Sequence, residues 1–233
     1  MCAAVGITFM QTKVIFSGTV ISVQPRSNVW RYRLDNRTHS LTGYNIFLHG
    51  TVVDQGKPGI SVAAGTTPAE HDFTIAISGA QQEKQHFHIG DQITGTAWTK
   101  MYPQCEYADY YRAGALKKTL AAPSLSAVLS PPWTDEAPVL SVYQWRGCAM
   151  LDKRRWSSKC FQCKWAAMAN VAIEYNWGRT QKFRFESFCY GPRSCKLYNK
   201  GKARAVPDKQ IGTLYDEGWL DEICTENRLD DDE

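Results

Sequence analysis

The sequence predicts a mainly β, α+β chain in two modules: a five-stranded barrel and a small four-cysteine metal-binding domain, joined by a proline-rich linker. Three observations lead there. Residues 13–119 string together β-branched and aromatic runs broken by glycine and proline turns. The next stretch holds Pro123, Pro131, Pro132 and Pro138 with almost no charge, a composition that stiffens a connector. Beyond it come Cys160 and Cys163, then Cys189 and Cys195, in metal-ligand spacing. The boundaries drawn from these features are 1–120 for the barrel, 121–141 for the linker, 142–210 for a basic four-cysteine domain and 211–233 for an acidic C-terminal helix and tail.

The barrel elements follow in order. Residues 13–23 are β-branched and partly alternating, with Gly18 where a strand can bend. Residues 44–53 form a second run, closed by the turn Asp54-Gln55-Gly56-Lys57-Pro58-Gly59. Residues 71–77 alternate cleanly and predict a third strand. Ser78 is a capping residue, and the helix formers after it predict a short helix to about residue 85. A turn at Gly90-Asp91 leads into a fourth strand ending near Trp98, and residues 115–119 supply a fifth. Three strands, a short helix and two strands is the order of an OB-like barrel, here with a long insertion expected between the first two strands. OB barrels bind single strands or oligosaccharides on one face. Trp30-Arg31-Tyr32-Arg33 with Arg26 and Arg37 interleaves aromatic and cationic groups, as stacking on bases beside phosphates requires. The same alternation fits a longer first strand whose aromatics face the core.

In the second module a C-x2-C turn brings two thiolates toward one metal, and a second pair completes a four-thiolate shell. Cys160, Cys163, Cys189 and Cys195 are the expected ligands, with Cys148 as a spare. Zinc is the expected metal; a 4Fe-4S cluster uses the same four ligands. No histidine lies beyond His88, which leaves cysteine as the ligand type within this module. Residues 164–175 read as helix or strand, and residues 181–188 as a strand that delivers Cys189. Tyr215, Trp219 and Ile223 recur at helical spacing.

Charge is uneven. Residues 1–141 carry 11 Lys/Arg against 10 Asp/Glu, residues 142–210 carry 15 against 4, and residues 211–233 carry 1 against 9. A block of net +11 attracts polyanions, and it marks Lys153, Arg154, Arg155, Lys159, Lys182, Arg184, Arg193, Lys196, Lys200, Lys202 and Arg204 as phosphate contacts. The runs 153–159 and 196–204 flank the two cysteine pairs and are expected to form one basic surface.

The arrangement Cys160-Phe161-Gln162-Cys163 followed by Lys182 to Cys189-Tyr190-Gly191-Pro192-Arg193-Ser194-Cys195 resembles prokaryotic proteins that join an OB-like N-terminal domain to a four-cysteine C-terminal domain. The resemblance implies the two-module architecture and transfers no catalytic residue.

No Gly-rich phosphate loop and no G-x-S-x-G elbow is present. His86, His88 and Asp91 share a region that can bind metal but read better as the turn before the fourth strand. The expected function is a non-catalytic, single-stranded DNA- or RNA-binding accessory protein or subunit of a larger nucleoprotein assembly with other protein subunits. The alternatives are an adaptor for an acidic protein partner and an iron–sulfur redox or nuclease-accessory subunit. The apolar runs are too short for a membrane helix, and the start lacks a signal-peptide pattern, so a cytoplasmic location is expected.

Overall fold

The computed structural model of the protein describes residues 11–32, 37–55, 68–123, 130–175, 180–202, 205–206, 213–214 and 218–228. Strand β1 is Lys13–Tyr32 and β2 is Arg37–Asp54. They pair antiparallel from Val14↔Asp54 to Arg31↔Arg37. The long insertion expected between the first two strands is therefore replaced by strand: β1 and β2 are one long hairpin. Residues 26–32 belong to β1 because 26–31 pair with β2 and 28–32 pair with a later strand on the other side.

Next come β3 (His71–Ile77), helix α1 (Gly79–Gln85), β4 (Gln92–Thr99) and β5 (Tyr110–Leu120). Ser78 caps α1: its hydroxyl accepts from the Gln81 N–H, and the Gln81 side chain accepts from the Ser78 N–H. β3 pairs antiparallel with β2 and parallel with β5 at Ile75↔Tyr110, and β5 pairs antiparallel with β4. β4 returns to β1 from Lys13↔Trp98 to Thr19↔Gln92. The order β1-β2-β3-β5-β4-β1 closes a five-stranded barrel with OB-like topology. A register shift between Val20 and Ser22 bends β1 where the barrel curves. Gly18 and Gly50 face each other across β1 and β2; a Cβ on Gly50 would lie 2.2 Å from the Ser17 carbonyl oxygen, so the close approach requires glycine.

The remaining chain contributes helix α2 (Leu140–Arg146), β6 (Ala149–Leu151), the short turn α3 (Lys153–Arg155) running into a π-helical turn at Trp156–Cys160, β7 (Ala166–Tyr175) and β8 (Thr180–Cys189). The two-residue strands β9 (Ala205–Val206) and β10 (Thr213–Leu214) and helix α4 (Gly218–Cys224) follow. β7 and β8 form an antiparallel hairpin, and β6 pairs with β8. β7 also pairs in parallel with β1 from Asn28↔Asn170 to Tyr32↔Glu174. The barrel sheet thus continues into the cysteine-bearing half, and one core runs from Phe16, Ile46 and Ile75 through Trp156, Val171 and Phe188.

Residues 130–139 of the proline-rich stretch lie against both halves. The Tyr44 hydroxyl donates to the Pro138 carbonyl (2.6 Å), and the Lys164 N–H donates to the Trp133 carbonyl (2.8 Å). Lys164 Nζ also pairs with Asp135 at 2.5 Å. Gly147 closes α2 at φ +63°, and a Cβ there would meet the Cys224 carbonyl oxygen at 1.5 Å, so α4 docks only over a glycine. Among the described residues, no helix is long and apolar enough to cross a membrane.

Candidate metal centre and nucleic-acid interface

The first cysteine pair sits where the π-helical turn unwinds. Cys160 ends that turn, and the Cys163 N–H reaches back to the Cys160 carbonyl at 3.0 Å. Cys189 is the last residue of β8, and Cys195 lies in the following turn, its N–H donating to the Pro192 carbonyl. All four thiols line one apolar cavity of about 10 Å³, roofed by Pro131, Pro132 and Trp133. That volume is about one water-sized sphere. Among the described residues, no group of three or more His, Cys, Asp or Glu side chains stands in a metal-holding arrangement; what the four thiols share is the lining of this cavity. Cys148, the spare ligand, is not part of the cavity lining; its sulfur lies 3.0 Å from Nε2 and 3.3 Å from Nδ1 of His39.

The thiols feel one another and their surroundings. Burial pushes Cys160 up to about 12, and Cys189 and Cys195 push the same way. Burial also raises Cys163, with Cys189 adding to it and the backbone at Trp165 and Trp133 acting the other way. Cys189 is raised by burial and opposed by the Arg228 guanidinium and by the Gly191 N–H, which donates to Sγ at 3.3 Å. Burial is the largest influence on all three and favours the neutral thiol; Arg228 and the Gly191 N–H act the other way on Cys189 without reversing it.

Two buried groups fix this geometry from outside. Gln24, fully buried on β1, donates from Nε2 to the carbonyls of Cys160 (3.2 Å) and Phe161 (2.7 Å), and its Oε1 accepts from Trp156 Nε1 (3.2 Å). Ser22 Oγ adds a bond to the Phe161 carbonyl at 2.6 Å. A barrel strand therefore grips the first cysteine turn. Arg228 does the same for the second: its guanidinium donates to the carbonyls of Arg146, Gly147, Cys189 and Gly191. Arg146 lies over the Trp165 ring at 4.3 Å and donates to the Tyr190 carbonyl.

The predicted phosphate contacts separate into groups. Lys153 and Arg154, before the first cysteine pair, and Lys202, after the second, line one cleft of about 660 Å³ with Trp156, Ser157 and Glu186. Arg155 stands near enough to Cys160 to act on its charge, and Lys159, Lys182, Lys196 and Lys200 are exposed. Three others are drawn into the protein itself. Arg184 donates to the buried Glu186 carboxylate, Arg193 to the Thr225 carbonyl (2.6 Å) and Arg26 to the Thr42 carbonyl (2.7 Å). The side chains of Trp30, Arg31, Tyr32 and Arg37, and the residues Arg33 and Arg204, lie outside what is described. Asp91 serves the turn before β4: its carboxylate accepts from the N–H groups of His88 and Ala122 and pairs with Lys118 at 2.7 Å.

Gln24, Arg228 and the contact between His39 and Cys148 carry no sequence motif. Their partners are 132 to 137, 37 to 82 and 109 residues away. Gln24 lies just past the expected end of the first strand, before Pro25 and Arg26, and nothing in its neighbours signals its role. Compared with family models, curated proteins and solved structures, the chain matches none.

Proposed function

We propose that this chain is a nucleic-acid-binding accessory protein that takes single-stranded DNA or RNA at the cleft of Lys153, Arg154 and Lys202, and that Cys160, Cys163, Cys189 and Cys195 hold a structural zinc ion. The observation that carries the reading is the meeting of the two basic runs, 49 positions apart at Lys153 and Lys202, in one cleft. Clustered cations of this kind attract phosphates and release counterions on contact. The metal reading rests on donor chemistry. Four cysteines around one cavity, the Gly191 N–H donating to Cys189 Sγ and Arg228 beside Cys189 support a thiolate centre. Zinc bound there supplies cross-linking of the two cysteine turns and no chemistry of its own. The role is that of a subunit acting with other proteins in the cytoplasm.

Fluorescence anisotropy with labelled single strands across a salt series tests the interface. Replacing Lys153, Arg154 and Lys202 together with alanine is expected to weaken all sequences alike and lower the salt slope by about three units, about one per lost phosphate contact. Weak affinity untouched by that triple change would instead support an adaptor for an acidic protein partner. Elemental analysis of the purified protein tests the centre: about one zinc per chain is expected, iron with visible absorbance would assign a cluster, and neither metal in folded protein would overturn the centre.

A further inference from the structure

A second cleft, of about 350 Å³, opens between the end of β1, the connection from β4 to β5, and the β7–β8 hairpin. Its size is at the lower end of small-ligand sites. Tyr102, Tyr107, Tyr111 and Phe183 give it aromatic walls. Three of its lining side chains carry a buried polar atom with no hydrogen-bond partner: Arg26 Nε, Ser27 Oγ and Asn170 Oδ1. Ser27 is 1% exposed. Buried polar atoms left unpaired are costly, and three from separate residues around one cleft mark a place where a ligand completes the bonds.

The chemistry of the lining selects the ligand. Two donors, Arg26 Nε–H and the Ser27 hydroxyl, and one acceptor, Asn170 Oδ1, remain to be matched. An aliphatic ligand would leave all three unpaired. An anion is disfavoured, because Arg26 is the single cation in the lining, donates already from Nη2 to the Thr42 carbonyl and lies within reach of the Glu106 carboxylate. What fits is an uncharged planar heterocycle with donor and acceptor atoms on its edges and faces free to stack on tyrosine. Tyr107, in the cleft wall, also meets Trp156 edge-on at 6.5 Å, and Trp156 lines the basic cleft, so one aromatic pair lies between the two.

We propose that this second cleft binds one unstacked nucleobase, its edge bonded by Arg26, Ser27 and Asn170. As a base within a strand the proposal rests on the single-strand reading above; a free nucleoside presents the same chemistry, and the experiment distinguishes the two sources.

The test uses the full chain and the variants Ser27→Ala and Asn170→Ala, each of which deletes an unpaired buried atom and so preserves folding, as a thermal melt checks. Labelled strands of about ten nucleotides, matched to the site sizes of single-strand binders, are compared with abasic strands of the same length, and free nucleosides are titrated by calorimetry. Each variant is expected to weaken base-bearing strands about three- to tenfold, the worth of one hydrogen bond, with the abasic strand and the salt slope unchanged. If both variants hold base-bearing strands as tightly as the unaltered protein, the base pocket is wrong, whatever the charge variants do. If no strand binds but nucleosides do, and the variants lose them, the pocket stands and the single-strand reading falls. If neither strands nor nucleosides bind, both fall.

Discussion

Arg228 concentrates more structure than any other described side chain near the cysteines. It is 6% exposed and bonds four carbonyls, two at the end of α2 and two around the second cysteine turn. Arg228→Met leaves those carbonyls buried without a donor, and the chain should lose about 3 kcal/mol or more, read as a lower urea midpoint. Arg228→Lys should rescue little, since an ammonium cannot spread its donors as a planar fork does. Gln24 is the counterpart on the barrel side. Gln24→Ala removes the donor to Cys160 and Phe161 and the acceptor for Trp156. A loss of about 1–3 kcal/mol is expected by the same measurement. Neither role was readable from sequence. A lone arginine in an acidic tail and a glutamine beside Pro25 acquire their meaning from carbonyls that other segments present.

Among the elements, α1 is the one whose sequence and structure agree most closely. Ser78 predicts the cap, and the capping box with Gln81 is formed. Ser78→Ala should cost about 1 kcal/mol, seen as a lower thermal midpoint with the fold unchanged. β3 likewise matches residue for residue, because its apolar run is bounded by polar residues on one side and by the cap on the other. β1 differs: expected to end near Val23, it runs to Tyr32. Period-two alternation at Trp30 and Tyr32 was compatible with a binding loop and with strand. The backbone settled it, because residues 28–32 gain β7 as a second partner. Residues 166–175, ambiguous between helix and strand, are strand for the same reason, paired with β1 on one side and β8 on the other.

For the whole molecule, continuity is the main feature. β1 gives its first half to the barrel and its second half to β7, and the apolar core passes without a break from one half to the other. Tyr44 and Tyr143 meet edge-on at 6.4 Å across the same boundary. One cooperative unfolding transition is therefore expected, with far-UV and near-UV circular dichroism changing together in denaturant. Two separated transitions would show that the barrel and the cysteine half fold independently.

The sequence by itself determined the five barrel strands and their order, the capped helix, the two cysteine pairs and the concentration of positive charge around them. These rest on periodicity, turn residues and spacing, which act over a few residues and survive reading in one dimension. The tertiary structure alone decided that β7 continues the barrel sheet through β1, that Lys153 and Lys202 share a cleft, that Arg228 and Gln24 hold the cysteine turns, and that Arg26, Ser27 and Asn170 leave polar atoms unpaired beside aromatic walls. Hydrogen-bond partners and cleft walls are chosen among groups far apart in the chain, and that choice exists only once the chain has folded.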